Sequence, residues 1–238
     1  MIKGKTILIT GASSGIGREI AIQCHNNGAH VIITGRDLDR LQETNNHILN
    51  DHSLIYCYDL SIEENIIELV DKLPKVDGVV FCAGLVEYLP IKFINKNKIQ
   101  NTFSLNFDSQ VILTQQLIKH KKLNVNSSLV YISSIASKLG VGGTAMYAAS
   151  KAALNAFMKV TASELANQKI RANSICPGII TTPMGQKAQN ISQDISKDYL
   201  LGLGQPIDVA ESCLFFLSDA SKWITGSELI IDGGLTLK

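Results

Sequence analysis

The stretch Thr6-Ile-Leu-Ile-Thr10-Gly-Ala-Ser-Ser-Gly15-Ile-Gly17 decides the fold of this chain. An apolar strand runs into a glycine-rich turn, and a helix predicted over residues 15–27 begins there. Glycines allow a tight turn and close approach of the backbone to a ligand, while a helix start offers free N–H groups. This context predicts a turn that binds the phosphates of a dinucleotide, although the G-x-x-x-G-x-G spacing also allows a turn that only caps the helix.

Short apolar segments alternate with helical patterns along the rest of the chain. Most of these segments are almost continuously apolar, which is typical of parallel strands buried on both faces. The alternation predicts an α/β, Rossmann-type doubly wound fold, with a mostly parallel seven-stranded sheet and helices on both faces. The predicted strands are 6–10, 30–35, 54–58, 78–82, 129–133, 170–176 and 228–232. The predicted helices are 15–27, 38–49, 62–72, 96–120, 146–166 and 207–217.

The domain organisation follows from the continuity of this pattern. No linker or repeat divides it, so we predict a single NAD(P)-binding Rossmann domain over residues 1–238, with the seventh strand at the sheet edge. The segment 183–206 is the longest polar, irregular stretch and follows a strand. A long segment in that position is a candidate lid over the site.

Composition excludes several classes of protein. The 238 residues carry a formal net charge of +1 and 18% charged residues, which gives no basic field for nucleic acid. No apolar run reaches the roughly 18 residues of a membrane span, and no signal peptide is evident, so we expect no membrane partner. Five scattered cysteines and five histidines lack metal-ligand spacing, so we expect no metal and a reducing, cytoplasmic location.

Tyr147-Ala-Ala-Ser-Lys151 lies in an Ala-rich predicted helix. Residues at i and i+4 share one helix face, so a phenol and an ammonium point into the same space. A cation about 4 Å away is worth roughly 4 kcal/mol at an effective dielectric near 20, or about 3 pKa units. We therefore expect Lys151 to lower the pKa of Tyr147 enough for proton exchange near neutrality; the alternative is a surface lysine beside a helical tyrosine.

Taken in order, the motifs resemble those of the short-chain dehydrogenase/reductase family over essentially the whole chain. Ser134 stands thirteen residues before Tyr147, and Cys82-Ala-Gly84 follows the fourth predicted strand where the family usually has Asn-Ala-Gly. The other matching elements are the turn at 10–17, Asp59, Asn106, Pro177-Gly-Ile-Ile-Thr-Thr182, Ile224-Thr-Gly226 and Asp232-Gly-Gly234.

The resemblance implies a catalytic tetrad of Asn106, Ser134, Tyr147 and Lys151. Tyr147 would exchange a proton with the substrate oxygen, Ser134 would hold that oxygen, and Asn106 would hold a water that relays protons toward Lys151. Lys151 would also bind the nicotinamide ribose, and Thr182 would orient the carboxamide. The cofactor-binding residues so implied are Gly11, Ser13, Ser14, Gly15, Ile16, Gly17, Arg36, Asp59, Leu60, Cys82, Ala83, Gly84, Tyr147, Lys151, Pro177, Gly178, Ile180 and Thr182.

The end of the second predicted strand bears on the choice of cofactor. Gly35 takes the position that carries Asp in NAD-preferring relatives, and Arg36 follows it. A guanidinium suits a 2′-phosphate, so we predict NADP(H) in preference to NAD(H). The alternative is that Arg36 pairs with Asp37 or Asp39, and Ser14 stands where many NADP-preferring relatives supply a second base.

Three functions remain open at this level. The pattern is most similar to the 3-oxoacyl-acyl-carrier-protein reductase-like branch, which implies an NADP(H)-dependent oxidoreductase acting on a small-molecule carbonyl or alcohol, possibly a 3-oxoacyl thioester. The alternatives are a sugar or secondary-alcohol dehydrogenase of the same family and, from another class, a non-catalytic cofactor-binding sensor or scaffold. The small and apolar faces of helices 96–120 and 146–166 indicate a homodimer or homotetramer, with core packing as the alternative.

Two departures from the family pattern carry consequences. Cys82 in place of Asn removes a hydrogen bond between neighbouring strands, and its thiol would be open to oxidation if exposed. The segment 201–206 lacks an Arg that many relatives carry there, which weakens the case for an acidic carrier-protein partner.

Overall fold

The computed structural model describes residues 2–48, 53–186 and 195–237. Within these ranges a seven-stranded sheet has the order β3-β2-β1-β4-β5-β6-β7, and every neighbouring pair is parallel. The predicted doubly wound fold is confirmed, and the "mostly parallel" sheet is parallel throughout. The strands are β1 Thr6–Thr10, β2 His30–Gly35, β3 Leu54–Cys57, β4 Val76–Phe81, β5 Leu123–Ile132, β6 Arg171–Pro177 and β7 Glu228–Ile231.

Helices cover both faces of the sheet. Successive strand residues point to opposite faces, so Ile7 and Ile9 join one buried cluster while Leu8 joins the other. Helices α1, α2 and α7 pack on the first face, and α3, α5 and α6 pack on the second. Their bounds are α1 Gly15–Asn26, α2 Leu38–His47, α3 Glu63–Lys72, α4 Lys96–Phe103, α5 Ser109–Lys119, α6 Ala145–Leu165 and α7 Pro206–Leu217.

The strand order creates a crevice at the carboxyl ends of β1 and β4. Strands β2 and β3 lie on one side of β1, and β4 lies on its other side. The connections that follow β1 and β4 therefore run in opposite directions and leave a crevice between them. Gly11 adopts a φ of +66°, and a Cβ there would lie 2.8 Å from the Cα of Ala83. Only glycine lets the first turn approach the end of β4 this closely.

The predicted helix 96–120 is wrong as one continuous element. It is divided into α4 and α5 by a π-helical turn, Ser104–Asp108, with Asn106 buried inside it. Such turns occur frequently at functional sites, and nothing in the hydrophobic spacing of 96–120 marks this one.

The boundaries of the other helices and strands differ less from the predicted ones. β5 begins at Leu123 rather than 129, and the pairing register of β4 shifts between Val76 and Gly78 to accommodate the added residues. β4 itself begins at Val76 rather than 78. The remaining predicted ends differ by one or two residues, and position 49 of the helix predicted over 38–49 lies outside the described residues.

The predicted lid, 183–206, is described only in part, because residues 187–194 lie outside the described ranges. Tyr199 is buried, and its hydroxyl accepts the N–H of Ile179 at 3.0 Å. A parallel bridge joins Ile180 to Gly204. The later part of this segment therefore packs on the connection that follows β6.

No helix within the described residues has both the length and the apolarity needed to cross a bilayer. Those residues also gather no group of three or more metal-ligating side chains.

Candidate active site

A cavity of about 570 Å³ lies at the carboxyl ends of the strands, within the range usual for ligand and cofactor sites. Every residue predicted to bind the cofactor lines it, from the turn at Gly11 to Thr182. Of the predicted tetrad, Ser134, Tyr147 and Lys151 line the cavity and Asn106 does not.

The glycine turn has the features of an anion-binding site. Ser14 is the N-cap of α1, and its side chain caps none of the helix N–H groups. A Cβ at Gly17 would lie 2.3 Å from the carbonyl oxygen of Gly11, so the helix starts directly against the turn. The first N–H groups of α1 are left for a ligand, and the turn fits a pyrophosphate.

Lys151 is held beneath the cavity by the end of β5. Its Nζ donates to the carbonyl oxygen of Ile132 at 2.8 Å and lies 5.8 Å from the centre of the Tyr147 ring. Only 4% of the residue is exposed. Burial lowers the pKa of Lys151 to about 8, so the ammonium is still the main form at neutral pH.

The expectation of a lowered pKa at Tyr147 is wrong for this structure. Tyr147 is partly exposed to the cavity, yet the packing around its hydroxyl raises the pKa of the phenol to about 12, and the Ser134 hydroxyl offsets only part of that shift. Spacing predicted that Lys151 would be close, and it is. It did not predict the burial that disfavours the phenolate.

Ser133 and Ser134 are adjacent in the sequence but have different surroundings. Ser134 follows β5, caps a short 3₁₀ turn by accepting the N–H of Ala136 at 3.1 Å, and faces the cavity. The hydroxyl of Ser133 is buried and donates to the carbonyl oxygen of Lys151 at 3.2 Å. Ser134 is therefore the hydroxyl positioned beside Tyr147.

Asn106 is buried behind Leu85, which lines the cavity. Its Oδ1 accepts the N–H of Leu85 at 2.8 Å, and its Nδ2 donates to the carbonyl oxygen of Leu85 at 2.9 Å and to Ser150 Oγ at 3.2 Å. Its own carbonyl accepts Nε2 of Gln110 at 2.9 Å. The side chain therefore fixes the loop after β4. Asn106 affects the cavity through Leu85, whose position it holds.

The strands stay tied together despite Cys82. Thr10 Oγ1 accepts the N–H groups of Cys82 and Ala83 at 3.0 and 3.1 Å, which joins the ends of β1 and β4. Burial raises the pKa of the Cys82 thiol to about 12. A thiol with this pKa is a poor nucleophile, so the expected sensitivity to oxidation has no support.

The part of the cavity beside the end of β2 is called the adenosine end here, after the half of the dinucleotide that the sequence predicts there, and it carries four charged residues that are partly or fully exposed. Burial opposes the charge of Asp59, but hydrogen bonds from Ser61, helped by Arg36, lower the pKa of the carboxyl below its ordinary value. In the described chain Arg36 forms no ion pair within 4.0 Å, and the cation beside Asp37 is Arg40, at 3.4 Å. The alternative pairing of Arg36 with Asp37 or Asp39 is therefore not what the structure contains.

Several lining residues were not among the individual site residues named from the sequence. Tyr88 lies on the loop after β4, which is tied to the opposite wall because the Leu89 N–H donates to the Gly143 carbonyl at 2.8 Å. Tyr199 comes from the segment interpreted as a lid. No motif marks either position, and a tyrosine amid apolar residues near a predicted strand end is the only signal. Asp37 and Arg40 also line the cavity and were not predicted to bind the cofactor.

Comparison with known proteins agrees with this geometry. A family model described as "Enoyl-(Acyl carrier protein) reductase" matches residues 11–236. The chain is 34% identical over 239 residues to the 3-oxoacyl-[acyl-carrier-protein] reductase FabG of Rickettsia felis, covering 99% of this chain and 98% of that protein. The chain belongs to the short-chain dehydrogenase/reductase family. As a member, it is an oxidoreductase that acts on CH–OH or C=O groups.

Other relatives of this short-chain dehydrogenase/reductase span different substrates. It is 32% identical to the 2-keto-3-deoxy-L-fuconate dehydrogenase of Xanthomonas campestris, covering 98% of this chain and 80% of that protein. A crystal structure of a short-chain type dehydrogenase/reductase from Mycobacterium marinum superposes with a TM-score of 0.94 at 27% identity, covering 100% of this chain and 97% of that one. The family is thus established, while the substrate differs among relatives.

Proposed function

We propose that this protein is an NADPH-dependent reductase of a carbonyl substrate, with a 3-oxoacyl thioester as the best candidate. The observation that carries the proposal is the meeting of Ser134, Tyr147 and Lys151 in one cavity with the glycine turn of α1. A non-catalytic sensor or scaffold would need the turn but not this group of proton-exchanging side chains.

Proton transfer in the proposed reaction falls to Tyr147. A bound nicotinamide cofactor would supply the hydride. With a pKa of about 12 the phenol is fully protonated at neutral pH, so it is ready to donate a proton to the substrate oxygen. Oxidation of an alcohol would need the phenolate instead. The protonated phenol is therefore the form that carbonyl reduction starts from.

The other members of the tetrad would position the substrate and the cofactor, and Lys151 would supply a positive charge. Ser134 would donate a hydrogen bond to the substrate oxygen and hold it near Tyr147. Lys151 would bind the nicotinamide ribose and stabilise negative charge that develops on the phenol during proton transfer. Asn106 would keep Leu85 and the loop after β4 in place.

The preference for NADPH is supported by Arg36. It lines the cavity at the end of β2, where Gly35 offers no carboxylate to the ribose, and no ion pair within the described residues occupies its guanidinium. A free guanidinium suits a phosphate dianion.

The lining near Ser134 and Tyr147 bears on the substrate. Lys151 is the one charged residue among the described lining that lies away from the adenosine end, and the neighbouring positions include Leu85, Val86, Val141 and Met184. Such a wall suits an apolar acyl chain and offers no dedicated partner to a sugar-acid carboxylate. The likeness to FabG points the same way.

A second candidate is a sugar or secondary-alcohol dehydrogenase, which the likeness to the Xanthomonas enzyme favours. The test is turnover of a short 3-oxoacyl thioester, an aliphatic ketone and a 2-keto sugar acid, each with NADPH and with NADH, and of the corresponding alcohols. The expected result is the highest kcat/KM for the thioester with NADPH. A higher kcat/KM for the sugar acid would favour the second candidate, and a higher value with NADH would contradict the cofactor preference.

We further propose one domain, a homodimer or homotetramer, and a cytoplasmic location. The two buried clusters share one sheet, which supports a single domain. Ala149, Ala152 and Ala156 lie exposed along one face of α6, which would allow close approach of another helix. The five cysteines are all free thiols, as a reducing compartment would maintain them.

A further inference from the structure

Four charged residues line the adenosine end of the cavity, and their charges cancel. Arg36 and Arg40 are cationic, and Asp37 and Asp59 are anionic. A 2′-phosphate would therefore meet a region of zero formal charge rather than a lone arginine. The absence of a carboxylate at Gly35 does not settle the cofactor preference, because Asp37 stands two residues further along and faces the same cavity.

Asp37 is engaged on both oxygens by a single residue. Its Oδ1 accepts the backbone N–H of Arg40 at 3.1 Å, as the N-cap of α2, and its Oδ2 lies 3.4 Å from Arg40 Nε. The guanidinium of Arg40 thus offsets the negative charge of Asp37 at the cavity wall.

Arg18, the nearest other cation on α1, is committed elsewhere. Its Nη2 lies 2.8 Å from Glu43 Oε2 and also donates to the Ser13 carbonyl oxygen at 2.8 Å, while its Nε donates to Thr44 Oγ1 at 3.0 Å. It does not line the cavity. At position 14 the chain has a neutral serine. Arg40 is therefore the cation in contact with Asp37.

We propose that Arg40 is a specificity-determining residue for the cofactor, acting by neutralising Asp37 so that Arg36 is free to bind a 2′-phosphate. This inference rests on the proposed use of NADPH. Without Arg40, the four-residue group has a net negative charge, which repels a phosphate. The exposed Asp37 carboxylate then becomes available as an acceptor for ribose hydroxyls, the interaction that favours NAD(H).

The variants needed for a test should fold normally. The Arg40 and Asp37 side chains are 62% and 43% exposed, and an exposed ion pair of this kind contributes little to stability. Asn caps helices about as well as Asp, so Asp37→Asn removes the charge while keeping the hydrogen bond to the Arg40 N–H.

The experiment measures dissociation constants of 2′,5′-ADP and ADP by calorimetry, so that it does not depend on the substrate or on turnover. The wild type, Arg40→Ala, Asp37→Asn and the double variant are compared at low salt, with Arg40→Lys as the conservative control. We expect Arg40→Ala to weaken the binding of 2′,5′-ADP about tenfold, which is the order of one unscreened charge contact. The binding of ADP should be unchanged or tighter. The double variant should recover to within about threefold of the wild type, and Arg40→Lys should retain most of the affinity.

Two results would overturn the inference. If the double variant binds 2′,5′-ADP as weakly as Arg40→Ala, then Arg40 contacts the phosphate itself and Asp37 is irrelevant. If Arg40→Ala weakens both nucleotides equally or neither, Arg40 has no role in selection. Failure of the proposed function looks different, because a wild type that binds ADP as tightly as 2′,5′-ADP and turns over faster with NADH contradicts NADPH use before any variant is made.

Discussion

The two ends of the cavity are built in different ways. At the catalytic end, Lys151 and Asn106 are buried, and backbone hydrogen bonds fix both side chains. At the adenosine end, the Arg40 and Asp37 side chains are 62% and 43% exposed, and the Arg40 side chain is held only by its ion pair with Asp37 at 3.4 Å within the described residues. One end is preorganised by the fold, and the other depends on a balance of surface charges.

This difference explains which property each end can control. Buried groups held by the backbone keep their geometry and have shifted pKa values, which suits proton transfer. Exposed charges are screened by salt and are easily replaced, so selection between cofactors can change without disturbing the catalytic end. Substitutions at the two ends should therefore separate cleanly into effects on turnover and effects on cofactor choice.

The largest expected effect is that of Tyr147→Phe. Loss of the hydroxyl removes the proton donor, so kcat for carbonyl reduction should fall about a thousandfold, within the usual range for general acid catalysis. The dissociation constant of the cofactor should change little, because the ring remains. Steady-state kinetics and nucleotide titration measure the two quantities.

Tyr88→Phe is the matched control, since it removes another phenol that lines the same cavity. It should alter KM for the substrate more than kcat. If Tyr147→Phe kept most of the wild-type kcat, or Tyr88→Phe lost as much, the assignment of the proton donor would be wrong.

A second, smaller effect is the dependence of reduction on pH. Lys151 has a pKa lowered to about 8, so its ammonium is present below that pH and is lost above it. If the charge supports proton transfer, kcat/KM should be flat below about pH 8 and fall about tenfold per pH unit above it, as for a single essential protonated group. Stopped-assay rates from pH 6 to 10 at constant ionic strength would measure the profile.

The two ends should respond to different conditions. Added salt should raise KM for NADPH, because the adenosine end is exposed, while leaving the position of the break in the pH profile unchanged. A profile that stays flat to pH 10 would show that the charge of Lys151 is not needed.

The sequence predicted that Ser134, Tyr147 and Lys151 lie together, and the reason is physical. Tyr147 and Lys151 share a helix face, and Ser134 follows a strand, so their positions depend on regular backbone geometry. The π-helical turn at Ser104–Asp108 was not predictable, because the apolar spacing of 96–120 is compatible with one helix. Without that turn the inward position of Asn106 and its contacts with Leu85 could not be foreseen.

Electrostatic properties were the least predictable from sequence. The expected pKa at Tyr147 had the wrong sign, since spacing gives the distance between two groups but not the burial around them. The proposed role of Asp37 depends on how α2 packs against the glycine turn, which is a tertiary contact. Both cases concern the surroundings of a residue rather than its place along the chain.

The smallest expected effect tests whether the buried ammonium of Lys151 lowers the stability of the folded protein. Lys151 has an ordinary pKa of 10.5 in the unfolded chain and about 8 when folded. Below about pH 8 the folded protein therefore carries the full cost of a buried ammonium, and this cost disappears as pH rises toward 10.5, where both states are neutral. Lys151→Met should raise the Tm of the ligand-free protein at pH 7 by about 3 °C or more, the shift that 1 kcal/mol produces in a chain of this size.

The pH dependence of that gain is its diagnostic feature. The difference in Tm between Lys151→Met and the wild type should shrink between pH 8 and 10.5, because the wild-type lysine loses its charge across that window. Lys159→Met, which replaces an exposed lysine on the same helix, should leave Tm unchanged or slightly lower through loss of its contact with Glu228. A Lys151→Met variant that is less stable at pH 7, or whose gain does not depend on pH, would mean that the hydrogen bond to Ile132 outweighs the burial of the charge. The catalytic end would then be stabilised by its lysine rather than held against a cost.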